Sequence, residues 1–322
     1  MQPVLEVRGL STEFHLRSGV VRAVQDVSFD VYPGETLAIV GESGCGKTIT
    51  ALSLIRLIPE PPGRIVAGSV KLAGTDLLTL DKAAMRRMRG REIAMIFQEP
   101  MTALNPLMTI GRQITEMLVR HEGISRSAAR ARTIDMLRHV KMPEPERRAR
   151  DYPHQLSGGM RQRAMIAMAL ACKPKVLIAD APPTAHDVTI QAQILDLIGE
   201  LQHEFGTAVV LITHDLGVVA ETVQRVVVMY AGRKVEEAPV GELFARPLHP
   251  YMRGLLGSIP RVGASINALQ EIPGMVPPLS DLPDGCAFAP RCALADDKCR
   301  AVYPPFEPKR PNHSAACWQT QG

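Results

Sequence analysis

The run Thr36-Leu37-Ala38-Ile39-Val40 delivers the chain directly into Gly41-Glu42-Ser43-Gly44-Cys45-Gly46-Lys47-Thr48, and no other stretch constrains the fold as strongly. A continuous apolar run reads as a strand buried on both faces, as in a parallel sheet covered by helices. The octapeptide fits G-x-x-x-x-G-K-[ST], and Ile49–Ile58 reads as a helix stopped by Pro59-Glu60-Pro61-Pro62-Gly63. Strand, glycine-rich loop and helix in that order make the pattern a phosphate site rather than a chance turn. Glycines let the backbone wrap phosphates, while successive N–H groups and the helix N-terminus supply positive potential. Lys47 is expected to reach the β- and γ-phosphates of a nucleotide, and the Thr48 hydroxyl to bind Mg²⁺. Gly41, Glu42, Ser43, Gly44, Cys45 and Gly46 complete the cradle, with Cys45 at a variable, incidental position.

The remaining pattern is α/β. Val4–Val7 and Ala23–Phe29 alternate apolar with polar, as half-exposed antiparallel strands do. Ile93–Phe97, Val176–Ala179, Ala208–Ile212 and Val226–Tyr230 are further strand candidates. Helical composition dominates Ile110–His121, Ser125–Val140 and Gln162–Ala171, with a breaker at Pro143-Glu144-Pro145. Strands alternating with helices indicate a doubly wound, mainly parallel sheet. At 322 residues and 46% apolar content, one α/β domain plus an appendage is expected. From about Pro247 prolines become frequent and periodicity fades, so residues 247–322 read as a separate, loop-rich extension behind a core of 1–246.

Several function classes are excluded early. The net charge of +4 is too small to argue for nucleic acid, and the clusters Arg86–Arg91 and Arg147–Arg150 read as solvated helix faces. No apolar stretch approaches the roughly 18 residues of a membrane span. Met1-Gln2-Pro3-Val4-Leu5-Glu6 lacks the basic flank and apolar core of a secretory signal, so a cytosolic protein is expected, attached to membrane only through partners.

Four motifs follow the phosphate loop in a telling order: Gln98 after a buried strand, then Leu156-Ser157-Gly158-Gly159-Met160 followed by Arg161-Gln162-Arg163, then Val176-Leu177-Ile178-Ala179-Asp180, then His214 closing Leu211-Ile212-Thr213-His214-Asp215. Together they resemble the ABC ATPases. The resemblance implies an ATPase core with an antiparallel β subdomain and a helical subdomain inserted at about 104–165. In that family Gln98 would sense Mg²⁺ and the γ-phosphate, Asp180 would hold Mg²⁺ through water, and His214 would hydrogen-bond the γ-phosphate. Ser157, Gly158 and Gly159 would close over ATP held by a second subunit, so one site needs two chains. Phe14 is the candidate to stack on adenine. Met160 replaces the commonest glutamine, but LSGGMRQR resembles the variant of peptide-importer ATPases.

One segment departs from the family. After Asp180 the pattern expects E-P-T-T-A-L-D, and this chain reads Ala181-Pro182-Pro183-Thr184-Ala185-His186-Asp187. The glutamate that positions the attacking water is an alanine, whose methyl accepts no proton. A positioned acid–base group is typically worth about 10²- to 10⁴-fold in rate. The resemblance therefore implies a site that binds ATP and hydrolyses it poorly, with Asp187 of the D-loop a candidate nucleotide-binding residue. Three replacements within six residues favour natural divergence.

The last feature is a set of four cysteines, Cys286, Cys292, Cys299 and Cys317, spaced C-x5-C-x6-C-x17-C. Disulfides are rare in cytosolic proteins, so clustered cysteines suggest metal. Zinc sites use tight C-x2–4-C pairs, which are absent here; widely spaced thiolates suit a [4Fe–4S] cluster better. Zinc and free or disulfide-linked thiols stay open. Leu248-His249-Pro250-Tyr251-Met252-Arg253-Gly254-Leu255-Leu256, then Ile259-Pro260 and this tail, resemble the dipeptide/oligopeptide/nickel importer branch. That implies a heterodimer of two ATPase subunits, two membrane permeases and an extracytoplasmic binding protein, with this chain peripheral on the cytoplasmic face of the inner membrane. A non-hydrolysing regulatory scaffold is the alternative that Ala181 motivates, and nickel is the alternative cargo. A soluble ABC protein of DNA repair or translation would need tandem halves, a coiled coil or a zinc-hook insertion, none of which is present.

Overall fold

The computed structural model describes residues 2–99, 103–180, 188–258 and 271–320. In chain order the first elements are strands β1 (Leu5–Leu16), β2 (Gly19–Val31) and β3 (Thr36–Val40), helix α1 (Lys47–Leu54), strands β4 (Gly63–Leu72) and β5 (Thr75–Asp76), helix α2 (Lys82–Met88) and strand β6 (Ile93–Ile96). Helices α3 (Ile110–Glu122), α4 (Arg126–His139), α5 (Pro145–Arg148) and α6 (Gly158–Leu170) follow. Then come β7 (Val176–Asp180), α7 (Val188–Phe205), β8 (Ala208–Thr213), α8 (Leu216–Thr222), β9 (Arg225–Tyr230) and β10 (Arg233–Pro239). Helix α9 (Val240–Ala245) leads into the tail, which carries α10 (Pro250–Gly257), α11 (Asp297–Ala301), β11 (Glu307–Arg310) and β12 (His313–Ala315).

These elements divide into two compact units. One comprises residues 6–30, 36–78 and 212–322. Its outer sheet has the order β2-β1-β4-β5. A second run of paired strands has the order β11-β12-β10-β9-β3, with β3 and β9 parallel and β10 antiparallel to β9. All five residues of β3 are buried, as its continuous apolar run requires. The described residues of 247–322, expected as a separate extension, cluster with this unit: β12 pairs with β10, Glu236 facing Ala315. Glu236 explains the docking. Fully buried, its carboxylate accepts the backbone N–H groups of Leu248 (2.7 Å) and His249 (3.0 Å) and lies 2.7 Å from His313 Nε2.

The other unit comprises residues 1–5, 31–35 and 79–211. Its strands run β8-β7-β6, with β6 and β7 parallel in a register that sets Ile96 opposite Ala179. The expected helical stretch forms here. Thr109 and Ser125 cap α3 and α4 through their side-chain oxygens, and Gly123 ends α3 in the left-handed region. The buried residues Ile110, Gln113, Ile114 and Leu118 mark one face of α3 at helical spacing.

Two boundaries differ from the sequence reading. Helix α1 ends at Leu54 rather than at the prolines, because Arg56 adopts a left-handed φ of 52° and the N–H of Leu57 returns to Leu52 O. Helix α6 starts at Gly158 rather than Gln162, because Ser157 caps it.

Candidate nucleotide-binding site

The phosphate loop is shaped by its glycines and by what surrounds them. Gly41 has φ 151°, and a Cβ there would come within 2.3 Å of Met229 O and 2.8 Å of Cys45 Sγ. Gly46 has φ 98° and a Cβ would meet Ala23 O at 2.4 Å. Both positions admit glycine alone, by backbone conformation and by space. Gly46 is also the cap of α1, so the loop runs straight into a helix N-terminus. Cys45 is not incidental in this arrangement. It is fully buried beneath the loop, its carbonyl accepts the N–H of Gly232, and burial raises its thiol pKa.

Lys47 turns inward. Its ammonium donates to Gly41 O (2.7 Å) and Glu42 O (2.9 Å) and lies 3.6 Å from Cys45 Sγ. Thr48 and Ser43 are exposed on the loop's open side. Glu42 is tied down at three points. Besides its carbonyl on Lys47, its N–H donates to Tyr251 Oη (2.7 Å), and its carboxylate accepts from Arg291 at 2.7 and 3.0 Å. Sequence reasoning missed these anchors, since Arg291 lies 249 residues away. Phe14, on β1, is half-buried, and a Cβ on Gly63 would come within 3.0 Å of its ring. His214 follows β8 and is exposed, so it is no satisfied core histidine. Asp215 beside it caps α8, accepting from Gly217 and Val218 N–H groups.

In the other unit, Asp180 ends β7 and is 3% exposed, while Gln98 is exposed two residues beyond β6. The parallel register of β6 and β7 brings these two positions together at the carboxyl ends of neighbouring strands, where ligands of α/β sheets bind. Ser157 and Gly158 are exposed at the start of α6. The Ser157 hydroxyl accepts the Met160 N–H (3.4 Å), and a Cβ on Gly158 would meet no atom within 4 Å. Ala181 and Asp187 lie outside the described residues.

The four tail cysteines converge. Together with His249 and Phe288 they line one cavity, and all four are free thiols. Burial raises Cys286 and Cys292 above the usual thiol range and pushes Cys317 up to about 11, so these groups are protonated at neutral pH. Among the described residues no group of three or more His, Cys, Asp or Glu side chains is arranged to hold a metal ion. Burial also pushes the His249 imidazole down to about 3, which keeps it neutral.

Comparison with known proteins gives this geometry its setting. Residues 24–184 match the family described as ABC transporter, and residues 235–299 match the oligopeptide/dipeptide transporter C-terminal region. A probable peptide ABC transporter ATP-binding protein, y4tR, of Sinorhizobium fredii is 55% identical, covering 98% of this chain and 95% of its own length. The oligopeptide transport ATP-binding protein AppD of Bacillus subtilis is 49% identical over 99% of this chain and 97% of its own. Among solved structures, the dimeric bacterial ABC transporter cassette MJ0796 superposes with TM-score 0.65 at 27% identity, covering 73% of this chain and 98% of that one.

The chain belongs to the ABC transporter family and has the ABC ATPase cassette fold. Both relatives are named as ATP-binding proteins of peptide transport, and the second family match lies in the C-terminal third of this chain. Among the described residues no helix is long and apolar enough to cross a membrane.

Proposed function

We propose that Gly41–Thr48 holds the phosphates of ATP, that Ser157, Gly158 and Gly159 complete the ATP site of a second, different ABC subunit, and that this chain's own site hydrolyses poorly because of Ala181. The observation that carries the first part is the loop itself. Gly41 and Gly46 are locked by neighbours, and Lys47 sits on two carbonyl oxygens that phosphate oxygens can replace. Bound Mg²⁺ would neutralise charge on the β- and γ-phosphates. Thr48, Gln98 and, through water, Asp180 are the residues to hold it. His214 donates to the γ-phosphate, and its exposure at a strand end supports that role. Phe14 contributes an aromatic face to the adenine, and Asp187 belongs to the loop facing the partner.

The second part rests on Gly158. Among the described residues beyond its own helix turn, nothing occupies the space a Cβ would take, so packing within the subunit does not explain a glycine there. A phosphate approaching from another chain does. The reading extends to two permeases, an extracytoplasmic binding protein and a peripheral position on the cytoplasmic face of the membrane. Short peptides are the cargo, since the relatives' names speak of peptide transport, and nickel has no such support. Peptide-stimulated ATP turnover by the importer in liposomes tests this; turnover indifferent to peptide overturns it. Ala181 favours one second reading, a regulatory subunit that binds ATP without hydrolysing it.

Four thiols facing one cavity are also the donor set of a [4Fe–4S] cluster. Cys286, Cys292, Cys299 and Cys317 would hold it after losing their protons and drawing inward, and the cluster would supply a structural cross-link. Iron and labile sulfide in anaerobically purified protein test that reading, and their absence leaves the thiols a packing role.

A further inference from the structure

Glu42 poses an electrostatic problem that the structure resolves from a distant part of the chain. It is the second residue of the phosphate loop, and ATP brings a polyanionic triphosphate to its neighbourhood. An unpaired carboxylate there would repel the ligand that the loop exists to hold. The carboxylate is instead held by both arms of Arg291 at 2.7 and 3.0 Å, in the bidentate geometry that fixes direction as well as charge.

Arg291 is itself a built feature. Its side chain is 4% exposed, and its Nε donates to Pro273 O at 2.9 Å. Its Nη1 also lies 3.4 Å from Tyr230 Oη. Pairing with Glu42 holds the guanidinium firmly charged. A second anchor comes from α10. Tyr251, fully buried, offers its phenol oxygen to the Glu42 N–H at 2.7 Å and packs edge-on against Tyr230, ring centroids 4.7 Å apart. Phe288, three residues before Arg291, packs on both tyrosines at 5.3 and 5.5 Å. The tail thus reaches the loop through a charged clamp and a phenol, both set in one aromatic cluster.

We infer that Arg291 is a positioning residue for ATP: it neutralises Glu42 and, with Tyr251, fixes the phosphate loop in its binding shape, so the C-terminal region sets the nucleotide affinity of the core. This rests on Gly41–Thr48 being the ATP site. Partners one step behind a binding group commonly account for about 10- to 100-fold in affinity or activity. The predicted pattern has a sign that simple docking of the tail does not share. Removing Arg291 leaves Glu42 charged beside the phosphates, and removing that charge as well relieves the repulsion.

The test is calorimetric titration of the full-length chain with MgATP, with the thermal midpoint of each variant recorded without nucleotide. Lys47→Ala checks the underlying reading, and its binding ATP like the unmodified chain would sink that reading independently. Given that loss, Arg291→Ala is expected to weaken ATP about 10- to 100-fold, and Arg291→Lys less. Arg291→Ala with Glu42→Gln is expected to recover a substantial part of the affinity. Unchanged affinity in Arg291→Ala overturns the inference. So does a double variant as weak as Arg291→Ala, with its midpoint lowered equally, because Arg291 would then only hold the tail in place.

Discussion

Two of the glycine-bearing helix starts in this chain are built in opposite ways. The phosphate loop is enclosed: Cβ atoms at Gly41 and Gly46 would strike backbone oxygens, Cys45 fills the space beneath, and Glu42 is tied to Tyr251 and Arg291. The loop before α6 is open. Ser157 caps the helix on the surface, and Gly158 has nothing within 4 Å of where its Cβ would stand. The first loop carries a shape that its own subunit demands. The second carries a glycine whose Cβ position is open, as the proposed approach of a partner's nucleotide requires.

The contrast can be broken most forcefully at Gly46. Gly46→Ala places a methyl against Ala23 O and strains a φ of 98°, so a loss of about 3 kcal/mol in stability is expected. Urea unfolding measures it, and a loss under about 1 kcal/mol would mean the loop relaxes freely. Lys47→Ala comes next. It removes the cation that exchanges carbonyls for phosphates, and ATP affinity should fall about 100-fold with little change in unfolding midpoint. Gly158→Ala is the mirror experiment. Because the space is open, stability should hold or rise by up to about 1 kcal/mol. ATP binding by the isolated chain should stay unchanged while turnover of the assembled importer falls; a destabilised chain would place the glycine's role inside the subunit. Ser157→Ala is the mildest. Its exposed cap bond of 3.4 Å predicts a loss of about 0.5–1 kcal/mol, read by thermal unfolding.

Much of this architecture is legible in the sequence, and the reasons are local. Continuous apolar runs announce β3, β7, β8 and β9, and the motifs sit where strand ends put them: Gln98 beyond β6, Asp180 closing β7, His214 beyond β8. What escapes is either short or distant. Strands β11 (Glu307–Arg310) and β12 (His313–Ala315) are too brief and polar to show alternation, so the tail reads as loops outside the core. The start of α6 is hidden because two glycines weaken helical propensity, while the Ser157 cap outweighs them. Glu42 fills a free position of a motif, and Arg291 stands between a proline and a cysteine. No spacing rule links residues so far apart. Cys45 looks incidental in the sequence because a motif's variable position records what families tolerate, not what one loop buries.

The central claim is that this subunit clamps ATP at its own loop while its Gly158 surface serves a partner's hydrolytic site. The most direct measurement is ATP hydrolysis by the reconstituted importer carrying this chain or its Ala181→Glu form, beside an unchanged partner. The account predicts substantial and closely matching rates, turnover being carried at the partner's site. Activity that is absent with the unmodified chain and appears only with the Ala181→Glu form would contradict it, since both sites would then have to fire.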